Sequence, residues 1–124
     1  MMRDIENEQD VKLFLDAFYE KVKVDDKIAY LFNDVANLDW DAHMPKIYAF
    51  WEAILLGKPG FNGDVMGMHI RLNQKEQLTT EHFDRWIMLF TETVKEMYAG
   101  IKVDEALNRA NIIRRTIEFN IQRG

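Results

Sequence analysis

At 124 residues with a formal net charge of −5, the chain has the length of one compact domain and no dense Lys/Arg stripe to neutralise phosphates, which argues against nucleic acid as a partner. With 48% hydrophobic and 30% charged residues it has the balance of a chain that closes around a core rather than one that stays disordered. It has no cysteine, which excludes disulfides, thiolate catalysis and cysteine zinc sites and fits the cytoplasm, while the polar, acidic start MMRDIENEQD and the lack of any long apolar run predict neither a signal peptide nor a membrane span.

From Val11 the apolar residues Phe14, Leu15, Phe18, Tyr19 and Val22 recur three or four apart, the spacing that lines one side of a helix. A short turn at Val24-Asp25-Asp26 follows. The next long segment runs from about Leu38 to Gly57, with Trp40, His43, Ile47, Phe50, Trp51 and Ile54 on adjoining turns and Gly57 and Pro59 as stop signals. Pro45 pushes the residue before it out of the helical region, so this helix is expected to start near Met44, with His43 at an irregular entrance. Between Gly57 and Gly67 sit four of the six glycines and one of the two prolines, a loop set into an otherwise helical chain. The stretch MGMHIRL that follows it is apolar but too brief for a long helix. Thr80 as cap, with Phe83, Trp86, Ile87, Phe90, Val94 and Met97, marks a third helix, and Val103, Ala106, Ala110, Ile113 and Ile117 mark a fourth. No alternating β pattern, internal repeat or linker interrupts them. The expectation is a single all-α domain over residues 1–124.

Chemistry is to be sought in what is scarce, and three histidines qualify. His69 is flanked by Met66, Met68, Ile70 and Leu72, and an imidazole in an apolar wall suits a large, flat, apolar cofactor with one metal bond to offer, haem being the leading case. A hydrogen-bonded core histidine is the other reading of the same pattern, and on the residues alone it is the commoner one. His43 reads as a second metal ligand, a distal gate or a helix-end surface residue. His82, beside Glu81 near a helix start, reads as a solvated side chain. A zinc site from these three is a weak reading, since there is no HExxH motif and no cysteine and the spacings match no common finger or protease pattern. The aromatic cluster Phe18-Tyr19, Tyr48, Phe50-Trp51, Phe83, Trp86 and Phe90 reads first as core. Tyr19 and Trp86 add hydrogen-bond donors that need partners when buried, and two such donors facing one cavity can hold a polar diatomic ligand.

Taken in order, Phe18-Tyr19, Val22, Asp25, Phe32, Trp40, His43, Phe50-Trp51, the GFNG stretch at Gly60 to Gly63, His69, Leu72 and Phe83-Asp84-Arg85-Trp86 resemble the truncated haemoglobins of the third group. No single motif carries the likeness; the ordered set from about residue 14 to residue 90 does, and the final helix agrees in pattern only. The resemblance implies a two-over-two helical globin fold in which a loop replaces most of the helix before the proximal one. It implies haem b with His69 as the proximal iron ligand, Tyr19 and Trp86 as distal donors, and His43 at the distal entrance. Phe32, Ile47, Phe50, Met68, Leu72 and Phe90 are then expected along the haem faces, and Lys46, Lys58 or Arg71 at the propionates. Phe61 stands where relatives often carry tyrosine, and Pro45 is unusual so near His43; the paired glycine motifs of the other truncated groups are absent.

What such a protein does with its ligand has two readings. One is a binding protein with a five-coordinate iron that takes up, carries, stores or senses dioxygen or another diatomic ligand, held by Tyr19 and Trp86. The other is a redox enzyme that removes peroxide or nitric oxide and, having no room for a flavin domain, draws electrons from an external reductase. A helical interaction module whose aromatics are only core is the reading without haem.

Overall fold

The computed structural model describes residues 2–59, 61 and 63–123. The first helix, α1 (Glu8–Val22), starts where the Asn7 side chain accepts the Asp10 backbone N–H, with acidic Glu8 and Asp10 in its first turn and Lys21 in its last, each favourable to the helix dipole. Its stripe of Val11, Phe14, Leu15, Phe18 and Val22 is fully buried, each side chain contributing on the order of 1.5–3 kcal/mol.

A single π turn at Leu31–Val35 follows, closed by the Ala36 N–H reaching back to the Leu31 carbonyl. The apolar periodicity gives no sign of it, because a widened turn changes which residues share a face. Asn37 then adopts a left-handed conformation (φ 49°), which asparagine tolerates better than most residues, and turns the chain into the next helix.

That helix, α2 (Trp40–Leu56), begins four residues before the expected Met44. Asp39 caps it, and Pro45 sits in its second turn on the exposed side, where the ring removes a single N–H from the ladder. His43 therefore stands inside a regular first turn, not at an irregular entrance. Gly57, in the left-handed region at φ 68°, ends the helix and donates its N–H to the Glu52 carbonyl.

The glycine-rich loop is shorter than expected, because α3 (Val65–Lys75) already includes Met66 and Gly67. This eleven-residue helix replaces the brief stretch anticipated around His69. Gly60 and Asn62 of the GFNG stretch lie outside the described residues.

The fourth helix, α4 (Thr80–Met97), is capped by Thr79 rather than Thr80. The Thr79 hydroxyl accepts the His82 N–H, and His82 Nδ1 accepts the Thr79 N–H, a reciprocal box built with a histidine. The fifth, α5 (Ile101–Arg123), receives its cap from the other end of the chain: the Asp4 carboxylate accepts the backbone N–H groups of Lys102 and Val103.

α1 packs on α2 and α4, α4 packs on α5, and α5 also meets α2 and α3, which gives the expected two pairs of helices stacked on one another with α3 at the side. At the centre Phe90 stacks between the rings of Trp51 (5.0 Å) and Trp86 (5.4 Å), and Phe18 meets it edge-on at 5.3 Å. This buried wall fixes the back of the site. Among the described residues no helix is long and apolar enough to cross a membrane.

Candidate functional site

A cavity of about 250 Å³ opens between α2 and α3, with the π turn, α4 and α5 completing its walls. α2 contributes His43, Lys46, Ile47, Phe50 and Trp51; α3 contributes Val65, Met68, His69 and Leu72. The residues on α3 are spaced three, one and three apart, so they share one helix face. That stripe was the missed signal for a helix around His69; its other side is too polar (Arg71, Asn73, Gln74, Lys75) to show apolar periodicity.

His69 is partly buried, and its Nδ1 lies 2.8 Å from the Val65 carbonyl oxygen. A carbonyl can only accept, so Nδ1 carries the proton and Nε2 is left with its lone pair. Burial holds the His69 imidazole below its ordinary pKa, with the bond to Val65 pulling the other way. His43, half-buried on α2, is also held low, first by desolvation, then by the charge of Lys46, and last by the cost of a second positive imidazole beside His69. Two neutral imidazoles thus belong to two different walls of one apolar cleft.

Tyr19 reaches the cavity from α1. Burial pushes its phenol above the ordinary value, and the neighbouring Trp86 works in the opposite direction. Edge contacts of Tyr19 with Phe18 (4.7 Å) and Phe32 (6.3 Å) hold the ring in place.

Of the residues singled out in the sequence, His69, His43, Tyr19, Trp86, Phe32, Ile47, Phe50, Met68 and Leu72 all line this cavity. Phe90 does not: it lies one layer behind, between Trp51 and Trp86. His82, read as a solvated residue, lines the cavity too, and its Nε2 lies 3.0 Å from the Tyr30 hydroxyl. Since Nδ1 accepts from Thr79, Nε2 is the donor in that bond. Ile113, Arg114 and Ile117 of α5 and Leu78 complete the wall; they carried no sequence signal beyond the apolar stripe of their helix.

The three basic residues considered at the cavity edge separate clearly. Lys58 is engaged by Glu8 at 2.5 Å and lies near Glu52, away from the cleft. Arg71 is exposed beside Asp64 at 3.8 Å and is not part of the wall. Lys46 is part of it, whereas Arg114, also in the wall, is already held between Asp84 (2.6 Å) and Glu118 (3.0 Å).

Among the described residues no three His, Asp or Glu side chains converge to hold a bare metal ion. A lone-pair nitrogen in an apolar slot instead suits a metal that brings most of its own ligands on a flat apolar ring.

No protein-family model matches the chain. A group 3 truncated haemoglobin of Campylobacter jejuni is 31% identical to it over 110 residues, covering 86% of this chain and 84% of the relative. The crystal structure of a group III truncated haemoglobin from Campylobacter jejuni agrees with a TM-score of 0.84 at 27% identity, covering 98% of this chain and 95% of that one. With that much of both chains aligned and the same helical arrangement, this chain belongs to the group 3 truncated haemoglobins.

Proposed function

We propose that the cavity holds haem b and that the protein binds dioxygen or another diatomic ligand there. The observation that carries this reading is the state of His69: partly buried in an apolar wall, held below its ordinary pKa, and fixed through Nδ1 by Val65, so that Nε2 would be free to hold an iron. The apolar walls fit the faces of a porphyrin, with Phe32, Ile47, Phe50, Met68 and Leu72 against it and Phe90 supporting from behind. Lys46 is the residue we assign to a propionate, because the charges of Lys58 and Arg114 are already met by carboxylates and Arg71 lies outside the wall.

When bound, the haem supplies an iron that takes a diatomic ligand and shifts electron density on to it. The chain supplies the donors. Tyr19 would give its O–H to the partly anionic ligand, and Trp86, beside it on the wall, would offer its indole N–H as a second donor. His43, on the α2 wall, stands at the entrance. In this reading His69 would be the protein's ligand to a five-coordinate iron, with slow ligand release as the main property.

The test is the visible spectrum of the protein with added haem beside a His69→Ala variant. A strong Soret band that is lost or altered in the variant supports the reading, and no specific band in either protein overturns it. The redox alternative, peroxide or nitric oxide removal with an external reductase, predicts sustained ligand consumption over many cycles when cell extract supplies electrons.

A further inference from the structure

Tyr19 touches the cavity on one side and Trp40 on the other, their ring centroids 5.6 Å apart. Trp40 does not line the cavity, and yet it is only partly buried; its free surface faces solvent. The other two tryptophans both line the cavity, Trp51 at 3% exposure and Trp86 partly buried. Trp40 is therefore the tryptophan that stands outside the cavity and joins its wall to bulk water, through the Tyr19 ring and also through Phe32 (6.0 Å) and His43 (6.3 Å). Its indole N–H donates to the exposed Asn33 Oδ1 at 3.2 Å, and the Lys23 ammonium lies 4.9 Å from its ring centroid.

From this juxtaposition, and on the haem reading above, we propose that Trp40 is a surface oxidation site at which small phenolic reductants are oxidised by one electron while a hydroperoxide is reduced in the cavity. The O–O bond breaks, and its oxygens leave as alcohol and water: ROOH plus two ArOH gives ROH, water and two ArO radicals. Each electron passes from Trp40 through the contacting Tyr19 ring to the cavity. A cation over the ring opposes positive charge on the indole, so Trp40 loses its N–H proton with the electron, to solvent beside Asn33. The phenol at the surface returns an electron and a proton to Trp40, and the matching protons enter the cavity from water. Trp40 thus provides a route for reductants too large to reach Tyr19, and it specifies electron-rich aromatic donors.

The experiment treats the haem-loaded protein, its Soret band recorded first, with hydrogen peroxide and a nitroso spin trap, and maps the adduct by peptide mass spectrometry. The adduct is expected on Trp40 in the wild type. Trp40→Phe is expected to lose both this adduct and most of the peroxide-driven oxidation of 2-methoxyphenol, with the Soret band retained. Lys23→Met, which removes the opposing charge, is expected to increase the Trp40 adduct. Wild-type adducts confined to Tyr19 or Trp86, or a Trp40→Phe protein that oxidises 2-methoxyphenol at the wild-type rate, overturn the proposal and leave the haem reading intact. A wild-type protein with no Soret band overturns both.

Discussion

Tyr19 and Trp86 are neighbours on the cavity wall, and each carries one hydrogen-bond donor. Because burial keeps the phenol above its ordinary pKa, it stays a donor across the whole ordinary pH range. On the proposed reading Tyr19→Phe removes one donor to the ligand and Trp86→Phe removes the other. A hydrogen bond to a partly anionic ligand contributes roughly 1.5–3 kcal/mol, so each change should speed dioxygen dissociation about tenfold to a hundredfold. Stopped-flow displacement of dioxygen checks this; wild-type rates in both variants would remove the distal roles. The double variant should fall short of the product of the two, since the two donors are neighbours acting on one ligand.

The helices matter to the site through their ends. α3 begins with the Asp64 carboxylate accepting the Gly67 N–H at 2.9 Å, two residues before His69. A Cβ on residue 67 would lie 2.0 Å from Asp64 Oδ2, so glycine is what lets the cap approach. Gly67→Ala is expected to displace the cap and cost about 1 kcal/mol of stability, with haem released faster to a scavenging apoglobin; an unchanged release rate would show that α3 holds His69 without its cap. The α1 to π-turn connection is tied to α4 in a comparable way. Burial opposes an ionised Asp25, but Arg85 at 2.6 Å and the N–H groups of Lys27 and Ile28 outweigh it and hold the carboxyl below its usual range. Asp25→Ala should cost about 2–3 kcal/mol in denaturant unfolding, less than a fully buried pair because Arg85 is partly exposed. These ends were the least legible part of the sequence. Apolar periodicity revealed the interiors of α1, α2, α4 and α5, but Pro45 was given too much weight: it removes one N–H from the ladder of α2, and the Asp39 cap and the buried face of the helix carry the chain through it. The π turn and α3 were hidden, the first by its widened period and the second by a polar outer face. His69, Tyr19 and Trp86 were legible as a set only through their ordered resemblance to a family. His82 was not, because its role as half of a capping box, and hence its place in the cavity wall, depends on a turn that composition does not reveal.

At the scale of the whole molecule, the first residues act as a clasp. The Asp4 carboxylate caps α5, and the Arg3 guanidinium forms two bonds of 2.5–2.6 Å with Asp10 at the start of α1. Asp10 also accepts the Glu6 N–H and the Tyr98 hydroxyl, so one buried carboxylate gathers the N-terminal segment, α1 and the end of α4. Arg3 is the largest influence on it, and despite the opposing effect of burial the Asp10 carboxyl falls from an ordinary 3.8 to about 2. A carboxylate whose pKa is lower in the folded chain than in the unfolded one stabilises the fold above the unfolded value, and that stability is lost as pH falls through the folded value. The clasp should therefore be intact at pH 5 and weaken between about pH 4 and about pH 2, contributing roughly 1–2 kcal/mol at neutral pH once the exposure of Arg3 is allowed for. Asp10→Asn should be less stable than wild type at pH 6 by about that amount, and the gap should close toward pH 2 as the wild-type carboxyl gains its proton. Urea unfolding of both proteins across this range measures the gap directly. A gap that stays constant down to pH 2 would mean that Asp10 acts through shape and neutral hydrogen bonds alone, with the Arg3 charge contributing nothing to how the N-terminal segment is held against the helices.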